Sequence, residues 1–539
     1  MGKWQSKESL VQLLSQLVQY QSITGEADEI AIIEYIEHLL KDFTYFQQHS
    51  NHLHIEPLDD GRQLLTALVK KSEKPDTLIL LSHIDVVAVE DYGSFKHLAF
   101  RPQDLTTTLK KFPEQLPDDA REDLFTSDWL FGRGTMDMKA GTTLHLSMLE
   151  RLINGEWEGN ILLLVVPDEE ANSLGMLKAV SVLKQIKEQE SLSYKLCLNS
   201  EPMFRQYPND ENMYLYTGSL GKVLPGFLCY GKETHVGEPF HGVNANLLIS
   251  YLNKNLELND TFIEKRGSEV TPPPVSLMNR DLKEHYSVQT PVTAVSMYNV
   301  LFMKQNIGEI TDKLYQVMKE TKEEVEQHLN QQVMKYRSLI GKEHADPIHQ
   351  VKIMDYQQLY KEAVKRHGEN EVLRRQNLLL HERKSGDRDF TTTLVQDLAY
   401  LCKDIAPMII LFYSPPYYPA VTSCEHPVVS RITEAIQTYM ETEYGLNSTS
   451  LAYFNGISDL SFVGEANKED QQNQLKNNMP LELASGEKYL QQAQLSVPTI
   501  NIGPLGKDAH QWTERLEINY SFQTLPNIIA KTISLLFSD

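Results

Sequence analysis

Cysteine is scarce in this chain. The four present, Cys197, Cys229, Cys402 and Cys424, are widely scattered and form no CxxC spacing. A disulfide-stapled scaffold is therefore excluded, and a reducing cytoplasm is the expected location. Long apolar runs are missing too: none approaches the ~18 residues that a membrane span requires. The opening MGKWQSKESLVQLLSQLVQY interrupts every apolar run with polar residues. It lacks the apolar core and cleavage site of a signal peptide and predicts an amphipathic first helix. Gly2 and Ser6 match the loose myristoylation pattern, but chance readily supplies so short a match. Positive charge is in deficit, with 51 Lys+Arg against 73 Asp+Glu and a formal charge of −22. Such a surface repels phosphate backbones and anionic lipid, so neither nucleic acid nor a membrane is an expected partner. Internal repeats, low-complexity tracts and heptad runs are absent as well.

What remains is an ordinary globular composition, 41% hydrophobic and 23% charged, over 539 residues. That length predicts roughly two or three domain-sized units. Apolar spacing is helical over 9–40, and strand-like runs follow at 64–69, 77–82 and 161–167, with a helical stretch at 139–153 between the last two. The nearly continuous apolar runs at 78–81 and 161–166 predict central strands covered on both faces, hence an α/β section. Residues 96–129 are acidic and contain Pro102, Pro113 and Pro117, which predicts a surface excursion. Beyond about residue 209 the texture changes. Strand-like 222–230 and 292–303, helical 245–256 and 308–339, and a charged helical stretch at 355–402 predict an α+β insertion. A strand at 408–413 ends at Pro415-Pro416, which reads as a boundary; a helix at 428–443 and a short buried strand at 497–502 follow. The expected organisation is 1–212, an inserted 213–417, and a completing 418–539.

Polar words stand at the ends of these apolar elements. Ser82-His83-Ile84-Asp85 leaves a buried strand, and alternate positions let the imidazole and carboxylate share one cavity at the sheet's carboxyl edge. Alone, His-x-Asp reads as a surface pair. Gly132-Arg133-Gly134-Thr135-Met136-Asp137 permits a tight turn, with Asp137 just before a helix, where a lone acid is usually a cap. Asp168-Glu169-Glu170 follows six apolar residues; acids so placed either fan into solvent or surround a cation. Asn199-Ser200-Glu201-Pro202 and the loop from Gly503 to His510 complete the set. Mixed His and carboxylate groups at five element ends suit two neighbouring Zn²⁺ ions, with Co²⁺ or Mn²⁺ as substitutes.

In their order and wording these clusters resemble the M20 metallopeptidases: desuccinylases, deacetylases, aminoacylases and carboxypeptidases. Within that family the RocB-type arginine-utilisation branch is the most similar. The matching words are HID, GRGTMDMKAG, PDEE, SEP, THVGEPFHGVNA, FNGISD and IGPLGKDAH. The resemblance implies an α/β/α catalytic domain with a mostly parallel mixed sheet, interrupted by an inserted α+β lid domain. It implies that His83, Asp137 and Glu201 hold a first metal and that Asp137, Glu170 and His510 hold a second. Asp85 would orient His83, and Glu169 would be the general base, taking a proton from water between the metals. His235 would polarise the scissile carbonyl from the lid. Asn244, Gly456 and Ser458 would contact substrate, and the lid would leave the chain a monomer or join it into a homodimer. The substrate implied is a small amide, either an N-acyl amino acid or a peptide, in arginine or ornithine metabolism.

The match has gaps. The family's Asn-x-Ile-Pro turn and downstream Arg clamp are missing from 293–308, and Ile457 replaces a glycine of the family's Gly-Gly-Thr-Asp loop. His241 has no counterpart and reads as surface, as do Arg374, Arg375, Arg383, Lys384 and Arg388 in the long helical stretch at 337–404. Two other readings stand beside the amidohydrolase. One is a fold that has lost chemistry and serves in binding or assembly; the other is an aminopeptidase or dipeptidase, which needs an acidic amine pocket.

Overall fold

The computed structural model describes residues 2–126, 128–207, 210–341, 349–465, 470–486, 489–490 and 495–538. The chain divides into two compact units. The first is Met1–Leu220, Ala420–Ala466 and Gln491–Asp539, and the second is Gly221–Pro419 and Asn467–Leu490. The return of Asn467–Leu490 to the second unit has no counterpart in the three-part division read from the sequence. Among the described residues no helix is long and apolar enough to cross a membrane.

The first unit is built on an eight-stranded mixed sheet. Its strands, in chain order, are β1 (Leu53–Pro57), β2 (Gln63–Lys70), β3 (Asp76–His83), β4 (Asn160–Val166), β5 (Ser193–Asn199), β6 (Met213–Tyr216), β7 (Ser448–Leu451) and β8 (Thr499–Asn501). They lie in the order β1-β2-β4-β3-β5-β8-β6-β7. Strands β4, β3, β5 and β8 run parallel, so their carboxyl ends share one edge. β3 is buried from Thr77 to His83 and β4 along its whole length, as the unbroken apolar runs require of a sheet covered on both faces. Helix α1 (Lys139–Ile153) packs on β3 and β4 and buries thirteen of its fifteen residues. The apolar spacing over 9–40 resolves into two helices, Lys7–Val18 and Asp28–Lys41.

Residues 96–126 stay largely exposed, as expected of a surface excursion, but they are helical rather than loop. They form helices Pro102–Leu109 and Asp118–Thr126, which bury Leu105, Leu109, Ala120 and Leu124 in the core. The prolines signal starts rather than loops: Pro102 opens a helix and Pro113 a 3-10 turn, positions where the missing N–H costs nothing.

The second unit carries a five-stranded sheet in the order Val275–Asp281, Thr293–Phe302, Gly221–Tyr230, Met408–Tyr418, Lys352–Asp355. Pairing is antiparallel except for the last, parallel, pair. Met408–Tyr418 runs through Pro415-Pro416 rather than stopping there. A register shift against Gly221–Tyr230 between Ser414 and Tyr418 takes up the residues that cannot donate to the ladder. Over Leu228, Val295 and Ile410 lie helices Tyr356–His367, Glu369–His381 and Asp387–Leu401. Their surface arginines find local acids: Arg374 pairs with Glu371, Arg375 with Asp397 and Arg383 with Asp387.

Candidate metal centre

The five residues expected to bind metal and Glu169 belong to the first unit, and the parallel strands explain why they meet. His83 is the last residue of β3, Glu169 and Glu170 follow β4, and Glu201 lies two residues past β5. Asp137 stands two residues before α1, and His510 sits in the loop beyond β8. The site thus forms at the carboxyl edge of the sheet, where open α/β sheets bind ligands.

Asp137 is the centre of the geometry. Its Oδ1 lies 3.4 Å from His83 Nε2 and its Oδ2 lies 3.3 Å from His510 Nε2. Each imidazole has a second carboxylate on its own side: Glu201 Oε1 at 3.5 Å from His83 Nε2, and Glu170 Oε1 at 3.0 Å from His510 Nε2. Two three-residue sets result, His83–Asp137–Glu201 and Asp137–Glu170–His510, whose ligand atoms lie within 4.8 Å of one another; His83, Glu169 and Glu170 form a third such group. His83 Nε2 and Glu201 Oε1 are buried without a hydrogen-bond partner. Orphaned donor atoms facing each other are what a cation would satisfy.

The electrostatics agree. Burial works to lower the His83 pKa, yet Glu201, Asp137 and Asp85 carry it well above its ordinary value. Burial likewise opposes protonation of His510, but Asp137 and Glu170 push its pKa up to about 11. Burial raises Glu169 well above the carboxylate range and Glu201 to about 7, each with added repulsion from neighbouring acids. Five carboxyl groups, Asp85, Asp137, Glu169, Glu170 and Glu201, crowd around two imidazoles, and burial with mutual repulsion raises three of them, Glu169, Glu170 and Glu201, which nearby positive charge would relieve. Two divalent cations fit that donor set.

Further groups hold the ligands in place. Asp85 accepts from the backbone N–H groups of Glu169 and Glu170, both at 3.1 Å, and from Thr24 Oγ1 at 2.9 Å. It therefore ties the acidic loop to β3. His83 Nδ1 lies nearer the main-chain oxygen of Asp85, 3.1 Å, than its carboxylate, 3.5 Å. Asp168 turns the loop with φ +72°, and Arg62 Nη1 reaches its Oδ1 at 2.6 Å. Glu514 Oε1 accepts from Met136 N and Asp137 N at 3.2 and 3.4 Å, while its Oε2 meets Arg133 Nη1 at 2.9 Å. The Asn501 amide brackets Glu201: its Oδ1 accepts from Glu201 N at 2.8 Å and its Nδ2 donates to Glu201 O at 3.0 Å.

Glu514, Asn501, Arg62 and Thr24 escaped the sequence reading. Glu514 has a faint signal, standing four residues past His510 with Arg515 beside it; the other three have none.

The remaining residues fall in different places. Ser458 is buried, its N–H donating to Ser219 Oγ at 3.0 Å, and Gly456 is half-buried beside the Phe454 ring. The neighbouring Asp459 is buried, and burial pushes its pKa up to about 8. His235 and Asn244 belong to the second unit. His235 is exposed, and its Nδ1 accepts from Gly237 N at 3.1 Å. Asn244 Oδ1 caps helix Ala245–Leu256 by accepting from Asn246 N. His241 is exposed and pairs with Glu238.

The chain is similar to known proteins. Residues 79–533 match Peptidase family M20/M25/M40. The chain is 48% identical over 540 residues to "uncharacterized protein YqjN" of Bacillus subtilis (strain 168), covering 99% of this chain and 97% of that one. It is 29% identical over 540 residues to protein RocB of the same strain, covering 97% and 94%. Among solved structures, a tripeptidase from Staphylococcus aureus subsp. aureus Mu50 superposes with a TM-score of 0.53 at 13% identity, covering 99% of this chain and 100% of that one. At that identity the likeness concerns the fold.

Proposed function

The chain belongs to peptidase family M20/M25/M40, and from that premise we propose that it is a dinuclear metal-dependent hydrolase of an amide bond. The substrate is a small N-acyl amino acid or peptide-like molecule derived from arginine or ornithine, met in the cytoplasm. One observation carries the reading: the two oxygens of Asp137 are directed to two different imidazoles, 3.4 and 3.3 Å away, each with a further carboxylate of its own.

His83, Asp137 and Glu201 would hold one cation and Asp137, Glu170 and His510 the other, zinc by the mixed His and carboxylate donors, with cobalt or manganese able to replace it. When bound, the pair supplies Lewis-acid charge that polarises a carbonyl and acidifies water. Glu169, its backbone held by Asp85, takes a proton on its carboxylate and returns it to the leaving nitrogen. His235 donates to the carbonyl oxygen as negative charge builds there, and Asn244, Gly456 and Ser458 orient the substrate. The second unit serves as the lid that carries His235. The RocB-type resemblance supports a basic amino-acid moiety, and a formal charge of −22 favours cationic substrates at long range.

The test is metal analysis of the purified chain, followed by turnover of a panel of N-acyl amino acids and dipeptides with Zn²⁺, Co²⁺ or Mn²⁺. Two bound cations are expected, with hydrolysis that Glu169→Gln abolishes while metal content persists. No metal uptake at neutral pH would refute the reading in favour of a binding or assembly role.

A further inference from the structure

Ser82 and Ser200 each precede a ligand of the first metal set, His83 and Glu201. They stand side by side at the ends of two adjacent parallel strands, one position beyond the pairing of Leu81 with Asn199. Behind them, on α1, His145 is fully buried. Its Nδ1 lies 2.7 Å from Ser82 Oγ and its Nε2 lies 2.9 Å from Ser200 Oγ. Ser200 Oγ also lies 2.9 Å from the main-chain oxygen of Ile502, which can only accept, so the Ser200 hydroxyl proton is committed there. Ser200 must then accept from the imidazole, which makes Nε2 the protonated nitrogen and leaves Nδ1 to accept from Ser82. The chain of donors runs one way: Ser82 to His145 to Ser200 to Ile502. Burial pushes the His145 pKa down to about 3, so the ring stays neutral and this tautomer persists. One turn earlier on α1, a Cβ on Gly141 would stand 2.4 Å from Ser200 O. The helix is pressed against the end of β5 and has no slack to take up.

We infer that His145 is a positioning residue: its neutral imidazole spans the two strand ends from behind and sets the separation of the His83 and Glu201 side chains. The inference rests on the dinuclear reading above and deepens it. An apolar side chain could fill the same volume, but it would leave the Ser82 and Ser200 hydroxyls without this bridge, and the two strand exits beyond the last backbone pair, Leu81 with Asn199, would lose the tie that orients His83 and Glu201. Glutamine can satisfy both serines, since its carbonyl accepts from Ser82 and its amide donates to Ser200.

Zinc titration of the metal-free chain against a competing chelator, for wild type, His145→Leu and His145→Gln, separates bridging from packing. Wild type binds two cations. His145→Leu weakens one of them by about tenfold or more, the scale of other ligand-orienting partners, and leaves the second nearly unchanged; His145→Gln recovers most of the loss. Equal affinities in Leu and wild type, or equal losses in Leu and Gln, overturn the inference while the dinuclear reading stands. A wild-type chain that takes up no cation refutes that reading and the inference with it. If His145→Leu does not fold, the double variant Ser82→Ala/Ser200→Ala removes both partners and is expected to weaken the same cation. Independently of metal, imidazole ¹⁵N shifts at about pH 5 report a neutral Nε2–H ring; a protonated or Nδ1–H ring there contradicts the donor chain.

Discussion

Replacing Glu514 tests how the backbone that carries Asp137 is held. Glu514 and Arg133 are each 1% exposed and meet at 2.9 Å, while the other Glu514 oxygen accepts from the N–H groups of Met136 and Asp137. Removing one member of a buried pair leaves an uncompensated charge, at a cost of about 3–5 kcal/mol. Asp91, 3.2 Å from Arg133 and 36% exposed, supplies partial compensation. Glu514→Gln also keeps an acceptor for the two N–H groups, so the expected loss sits at the lower end, about 3 kcal/mol. Arg133→Met costs a similar amount by stranding Glu514, and the double variant costs clearly less than the two losses added, with a coupling of about 2 kcal/mol. The assay is denaturant unfolding followed by tryptophan fluorescence. All four tryptophans, Trp4, Trp129, Trp157 and Trp512, lie in the first unit, so the signal reports that unit without assuming that both unfold together. A loss below about 1 kcal/mol for Glu514→Gln, or strict additivity in the double variant, would refute the argument.

Asp137→Asn removes charge from both three-residue sets at once. Metal analysis should fall from two cations per chain to none, whereas Glu201→Gln and His510→Gln should each lose one; retention of two by Asp137→Asn contradicts a shared carboxylate. His145 gives a pH dependence whose sign is fixed. Its folded pKa of about 3 lies below the ordinary 6.5, so the unfolded chain binds the extra proton within that window and stability falls as pH drops through it. Between about pH 6.5 and 4 the metal-free wild type should lose about 3 kcal/mol more than His145→Gln. Parallel stability–pH curves for the two would show that the ring is not buried neutral.

Four of the six motif residues, His83, Glu169, Glu170 and Glu201, were readable because they stand at the ends of apolar runs that parallel strands carry to one edge, while Asp137 and His510 stood out by the glycine-containing words around them. The groups that hold them were not readable. His145 sits mid-helix between Leu144 and Leu146, where a histidine reads as core, and its partners Ser82 and Ser200 are small residues inside strand exits. Asn501 lies in a three-residue strand whose neighbours become known only once β8 is placed between β5 and β6. Elements with strong periodicity were legible nearly to the residue, as at Lys139–Ile153 and Ala245–Leu256. Proline misled in two opposite ways. At Pro102 and Pro113 it opens helical turns that were expected to be loop, and at Pro415-Pro416 it is absorbed by a register shift inside a strand expected to end. The return of Asn467–Leu490 to the second unit follows from tertiary packing that local patterns do not encode.

The placement of β8 has a consequence for biosynthesis. Strands β5 and β6 are close in sequence but do not pair; the gap between them is filled by Thr499–Asn501, which the ribosome makes almost three hundred residues later. A sheet that lacked this strand would leave β5 and β6 with unpaired interior edges, and such edges are open to pairing with other chains. Glu201 is translated early, but the amide that brackets its backbone comes from Asn501. The backbone of Glu201 is thus completed by a residue three hundred positions away, so this corner of the sheet edge depends on the docking of β8.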